Sequence, residues 1–314
     1  MDSLSQIVLG GAIAAAITPA AHRRAALLAG AALGTLIWWL FRRYGKGRVA
    51  AAPARWWWAI VLALVTHPLL DAFTVYGTQL WWPLAPPPTM WSSVFIIDPL
   101  YTVWLLLGCT VAWFARARPL AQRALVLGLV LSTGYLGWSL LAKAQVDREA
   151  DRALAAMGLA DAPRFSVPMP FNTVLWRVVA MTPQGYVVGD RSLWADHGPM
   201  QFSGHPSNVQ ALRQAADLPA VARLAWFNHG FMRAQVQDGE LVLSDLRMGL
   251  EPDYNFNFAV AAADGDGWRG IAPRQVLPAY RQAGNRGVLR QRLGQVWQRI
   301  WQAPQDRPAA AGVQ

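Results

Sequence analysis

The chain has 314 residues, 54% of them hydrophobic and 15% charged, with 17 tryptophans and a formal net charge of +10. That balance is too apolar for an ordinary soluble domain, and the basic excess lies in short loops, which excludes a nucleic-acid binder. The single cysteine, Cys109, excludes a disulfide framework and a thiolate zinc cluster, so any metal would rest on oxygen and imidazole ligands.

In chain order, the apolar run Ile7 to Ala21 comes first, weakened by Gly10, Gly11 and Pro19. The leader MDSLSQ has no basic residue, unlike the start of a cleaved signal peptide, so the run is read as retained. Ala25 to Phe41, Trp56 to Val75, Val94 to Ala115 and Ala124 to Ala142 follow. Each is close to the roughly 20 residues that cross a bilayer as a helix. Residues 1–145 therefore predict a transmembrane helical bundle of about four or five spans. This half holds 11 Lys and Arg against three acids, Asp2, Asp71 and Asp98. Arg42, Arg43, Lys46, Arg48 and Arg55 occupy one loop and Arg116, Arg118 and Arg123 another, while Gln79 to Ser93 carries no charge. The positive-inside rule places both basic loops in the cytoplasm of a bacterial cell, and Gln79 to Ser93 and everything after the last span in the periplasm. Trp81, Trp82 and Trp91 suit an interfacial belt on that outer side. The lipid bilayer is the one partner the composition implies.

Residues 146–164 predict a charged helical connector, and 165–280 a small soluble α+β domain. Its β-rich runs VLWRVVAM, YVVGDRSLW, RAQVQ and LVLSDLRM are separated by turn signals such as PQG and DGE, with one helix over Leu218 to Phe227. Residues 281–314 predict a basic amphipathic helix and a disordered tail. Leu289, Leu293, Val296, Trp297 and Ile300 share one helical face, which could lie on an anionic membrane or dock on the chain's own domain. The expected fold class is thus a multi-span α-helical membrane bundle followed by a small α+β soluble domain.

Within LVTHPLLDAFTVYGTQLWWP, His67 and Asp71 are four residues apart and share a helical face, with Pro68 inviting a bend beside them. FIIDPLY places Asp98 at the same outer end. One imidazole and two carboxylates form a normal ligand field for zinc or manganese and leave a position for water, which points to metal-assisted hydrolysis. In that reading His67 and Asp71 are ligands, Asp98 is a ligand or the base that orients water, and Tyr76 and Gln79 are polar lining. The competing reading is a structural cluster, in which Asp71 accepts from His67 and Asp98 caps a helix. No nucleophile elbow, phosphate-cradling glycine loop or HExxH element is present.

MDSLSQIVLGGA, LVTHPLLDAFTVYGTQLWWP, SVFIIDPLYT, NTVLWRVVA, LAWFNHGF and DLRMGLEPDYNFNF, in this order from Met1 to about Trp268, together resemble the YdjM-like family of bacterial inner-membrane proteins. The resemblance implies a membrane-bound, divalent-metal-dependent hydrolase with no defined substrate. Members typically also carry a Pro-Asp-x-Asp element and a His-Arg-Gly-x-(Ser/Thr)-His-Ser element. Here LLAGAALGT runs directly into LIWWLFRRYGKG, with a join near Thr35 and Leu36, and neither element occurs. The resemblance therefore implies a hydrolase site reduced to His67, Asp71 and Asp98. The alternative is a non-catalytic membrane scaffold anchoring a periplasmic binding domain.

Overall fold

The computed structural model describes residues 39–40, 42–44, 52–115, 118–278 and 286–303. The run Ile7 to Ala21, the join near Thr35, most of Ala25 to Phe41 and the tail after residue 303 lie outside them. The chain divides into two compact units, residues 1–72 with 78–89, and residues 73–77 with 90–314.

In the first unit, helix α1 spans Pro53–Ala72 and contains Pro68. Proline fits its first turn because that position has no intrahelical partner to lose. A short bridge between Thr78 and Thr89 closes the segment 78–89.

The second unit opens with two helices. Helix α2, Pro99–Ala115, starts sharply: Asp98 Oδ1 accepts from the backbone N–H groups of Leu100 (3.0 Å) and Tyr101 (3.3 Å), and Pro99 supplies the preset backbone. Helix α3, Pro119–Ala156, is 38 residues long. The two helices approach closely at glycines, since a Cβ on Gly108 would lie 2.8 Å from the Ala124 carbonyl and one on Gly128 2.6 Å from that of Trp104. Small residues of this kind let helix backbones meet in a membrane.

The expected bundle of four or five spans is corrected here. Among the described residues only α3 is long and apolar enough to cross a membrane. The physical reasons lie in the runs themselves. Trp56, Trp57, Trp58, His67, Pro68 and Asp71 dilute the apolarity of α1, and the Asp98-Pro99 start cuts the 94–115 run to a helix of 17 residues. The remainder of the unit is rich in sheet.

Leu106, Leu107, Trp113, Phe114, Leu127, Val130 and Leu141 on α2 and α3 are exposed, so this part of α3 is not the core helix of a soluble domain. No charged residue occurs between Arg123 and Lys143. From Ala142 onward the same helix becomes a core element: Ala142, Val146, Ala150 and Ala153 pack with Trp176, Val178 and Met200.

The antiparallel sheet beneath it has the order β1-β2-β3-β4, from Arg164–Pro168, Leu175–Thr182, Gly185–Ser192 and Ser203–Pro206. Period-two alternation sends Trp176 and Val178 of β2 toward α3 and Val179 into a core with Phe165, Tyr186, Phe231, Leu246, Tyr254 and Val75. The second sheet has the order β10-β9-β6-β5, where β5 is Met232–Gln237, β6 Glu240–Asp245, β9 Asn257–Asp264 and β10 Gly267–Val276. Between β6 and β9 lies the two-stranded ribbon of β7 (Gly249–Leu250) and β8 (Asp253–Tyr254). The β5–β6 turn is Asp238-Gly239 with φ of 51° and 76°, the left-handed pair a two-residue hairpin requires. Helices α4 (Val209–Gln214) and α5 (Pro219–Asn228) cover this sheet through Ala211, Ala215 and Val221. The last helix, α6 (Arg286–Trp301), buries Val296 and Ile300 against Met169 and Leu175.

Candidate functional site

On α1, the i and i+4 spacing brings His67 and Asp71 together: Nδ1 and Oδ2 are 3.6 Å apart and both side chains are half-exposed. Gln79 belongs to the same unit, and its backbone carbonyl accepts from Trp82 N–H at 3.3 Å. Tyr76 and Asp98 belong to the other unit.

Asp98 is buried and its carboxylate is fully engaged. Besides the two backbone groups on Oδ1, Tyr135 donates its hydroxyl to Oδ2 at 2.9 Å. Thr173 donates to the Tyr135 oxygen at 3.1 Å and accepts from Trp138 Nε1 at 3.1 Å. Ser139 donates to Ser93 at 3.0 Å. Asn172 holds the neighbouring turn by accepting from the N–H groups of Val174 and Leu175. These bonds fasten the start of α2 and the middle of α3 to the β1–β2 turn, so Asp98 acts here as a helix cap and a brace.

A divalent metal with water at an open position requires about three protein ligands. Among the described residues no group of three or more His, Cys, Asp or Glu side chains gathers at one place. His67 and Asp71 supply two donors, while both Asp98 oxygens already accept hydrogen bonds.

Tyr76, expected as polar lining, instead enters a buried centre around Arg247. The Arg247 guanidinium is fully buried, makes a forked pair with Asp245 (2.7–3.2 Å), and donates to the carbonyls of Val75 (3.3 Å) and Phe227 (3.2 Å). It lies 5.3 Å over the Tyr76 ring and 4.6 Å over that of Phe227. Tyr76 also meets Phe227 and Phe256 ring to ring. Burial, with the Asp245 charge adding and Arg247 opposing, raises the Tyr76 pKa far above the ordinary phenol range, so the hydroxyl stays neutral. This centre joins the segments TVYG, LAWFNHGF and DLRMG, which are far apart in the sequence. The reading of the sequence missed it; the signal available was an Asp-x-Arg pair ending an apolar strand.

A second cluster was also missed. Arg177 donates to both Asp190 oxygens at 2.8 Å, and Arg233 donates to Glu251 (3.2 Å) and the Pro252 carbonyl (3.1 Å) while lying 5.3 Å over the Tyr254 ring. Arg177 Nη1, Tyr186 Oη, Arg233 Nε and Glu251 Oε1 are buried without a hydrogen-bond partner among the described residues. Burial raises the Glu251 carboxyl above the usual carboxylate range. An open cleft of about 290 Å³ beside Arg233 is lined by Gln235, Ser244, Asp253 and Asn257. The lining combines one cation, Arg233, with one carboxylate, Asp253, and the amides of Gln235, Gln237 and Asn257. The signal in the sequence was Arg177 within the apolar strand VLWRVVA.

His205, stacked on Tyr186 at 5.4 Å, is lowered in pKa by burial first and then by the charges of Arg177 and Arg233. The unfolded chain therefore takes up this proton before the folded domain does as pH falls. Stability is complete above the ordinary imidazole range and is lost as pH falls through the folded value. The melting temperature should drop as pH falls below the ordinary imidazole range, and His205→Gln should flatten that dependence.

Residues 20–146 match the family described as YdjM inner membrane protein. No curated protein and no solved structure matches the chain.

Proposed function

We propose that this chain, residues 20–146 of which match the YdjM inner membrane protein family, holds a polar-cleft binding domain against the periplasmic face of the membrane, as a scaffold without catalysis of its own. One observation carries the reading: α3 is a single helix whose first part presents exposed apolar side chains and whose second part is a core element of the β domain. Such continuity couples the domain to the membrane rigidly, where a linker would leave it mobile. Charge supports the orientation. Arg116, Arg118 and Arg123 precede the apolar part with no acid among them, whereas Lys143, Arg148 and Arg152 after it alternate with Asp147, Glu149 and Asp151; we take the purely basic end as the cytoplasmic one, which puts the domain outside.

The His67–Asp71 pair favours a second reading, a metal-dependent hydrolase in which these two side chains contribute to holding zinc or manganese. Elemental analysis of the full chain, extracted in mild detergent and dialysed, separates the two. The scaffold reading expects divalent metal well below one equivalent, unchanged by His67→Ala. One equivalent of zinc or manganese that is lost in His67→Ala, together with ester or phosphoester hydrolysis, would replace the scaffold reading with the hydrolase.

A further inference from the structure

We propose that the end of the β domain nearest the apolar part of α3 carries an aromatic collar that inserts into the headgroup region of the bilayer, giving the chain a second membrane contact. The placement follows from register. Thr173, in the β1–β2 turn, is bonded to Tyr135 and Trp138, which lie eight and five residues before Lys143, the residue that ends the uncharged stretch of α3. At about 1.5 Å per residue, that turn reaches some 12 Å below the level of Lys143, toward the membrane. From there β2 climbs along α3, with Trp176 packed near Ala142 and Val146 and Ala180 near Leu154. The next strand returns, pairing Ser192 with Leu175. The end of β3 is therefore at the same level as the β1–β2 turn.

The C-terminal end of α6 is fixed at that level too. Ser192 donates to the Ile300 carbonyl at 2.7 Å, and Val296 and Ile300 pack on Met169 and Leu175. Arg299 pairs with Asp196. The helix thus docks on its own domain through one face and leaves another bare. Trp297 and Trp301 are 62% and 53% exposed, and Trp194 beside them 55%. These three rings form one group, with centroids 4.9 Å apart for Trp194 and Trp301 and 5.9 Å for Trp297 and Trp301. Phe171, at the tip of the β1–β2 turn, is 45% exposed and touches Phe95 ring to ring. Its φ of 67° is a left-handed conformation unusual for an aromatic residue, which holds the ring outward at the tip. Indole rings with an apolar body and an N–H donor are suited to the headgroup layer. The occupant is the bilayer that α3 already crosses, because the collar sits at the level where α3 enters it.

The inference rests on α3 being the crossing, and the test separates the two claims. In the full chain with Cys109→Ser, reconstituted in phospholipid nanodiscs, single cysteines are placed by Leu131→Cys, Arg152→Cys, Phe171→Cys and Trp297→Cys and spin-labelled. Collision with oxygen is compared with collision with a water-soluble nickel complex. Position 131 should read as lipid and 152 as water, since 152 lies 17 residues beyond Tyr135 along one helix, or about 25 Å. Positions 171 and 297 should read between them, with nickel collisions at least threefold fewer than at 152. In parallel, Trp297→Phe and Trp301→Phe combined should reduce the share of tryptophan fluorescence quenched by brominated lipid. Lipid contact at 131 with 171 and 297 as wet as 152, or unchanged quenching, overturns the collar alone. Water at 131 overturns the crossing on which it rests.

Discussion

Replacing Arg247 by methionine should destabilise the β domain by about 3–5 kcal/mol, the range expected when one partner of a buried ion pair is removed. The large effect follows from what the guanidinium leaves behind. Asp245 is 5% exposed and would keep a buried charge with its forked partner gone. The carbonyls of Val75 and Phe227 would lose a donor, and the Tyr76 and Phe227 rings would lose the cation between them. Arg247→Lys should recover only part of the loss, because an ammonium cannot reproduce the planar fork or stack on two rings. Since Val75 sits in the domain core and is tied to Arg247, protease sensitivity around residues 73–77 should rise with the loss of stability. Chemical unfolding of the detergent-extracted chain measures the first effect and limited proteolysis the second. A change below about 1 kcal/mol for Arg247→Met would show that the centre is not a fastening point.

Gly128→Leu should be the most damaging single change in the helical part. A Cβ there would lie 2.6 Å from the Trp104 carbonyl, a backbone atom that cannot swing away as a side-chain tip can. Overpacking costs about 1–3 kcal/mol where neighbours can adjust, and more is expected where α2 and α3 must separate. The same helix supplies its own control, since Gly134 and Gly137 have nothing within 4 Å of an added Cβ. Gly134→Leu and Gly137→Leu should elute and melt like the unaltered chain, while Gly128→Leu should lose monodisperse yield. Equal behaviour of Gly128→Leu and Gly134→Leu would contradict the close α2–α3 contact.

Much of the soluble part could be read in the sequence because its signals are local. The runs VLWRVVAM, YVVGDRSLW, RAQVQ and LVLSDLRM coincide with β2, β3, β5 and β6, and the helix expected over Leu218 to Phe227 is α5, Pro219–Asn228. Turn chemistry fixed those boundaries, as at Asp238-Gly239. The count of spans went wrong for a reason equally local but easily passed over. Asp98-Pro99 is a helix start set inside an apolar run, and it divides 94–115 into an irregular, bent lead and a 17-residue helix. Asp98 was singled out as a ligand or base because a carboxylate in an apolar run looks costly, and the alternative reading of it as a cap was open at that point. The contact of Asp98 with Tyr135 lies beyond any spacing rule, because nothing in the pattern gives the position of Tyr135 along α3. The Arg247 centre was hidden more deeply. Its partners Val75 and Asp245 are joined only by the tertiary fold, so pattern and periodicity carry no trace of them. For α6, the two readings of its amphipathic face were alternatives in the sequence. The structure shows one face docked and another exposed.

The central claim is that α3 carries the β domain from a cytoplasmic basic end to the periplasm. Paired reporters, one active only outside the cytoplasm and one only inside, test it most directly when fused after residue 118, after residue 160 and after residue 314. The account expects the cytoplasmic reporter to signal at 118 and the external reporter to signal at 160 and 314, a reversal across one helix. The same reporter active at all three positions, or cytoplasmic signal at 160, would contradict it.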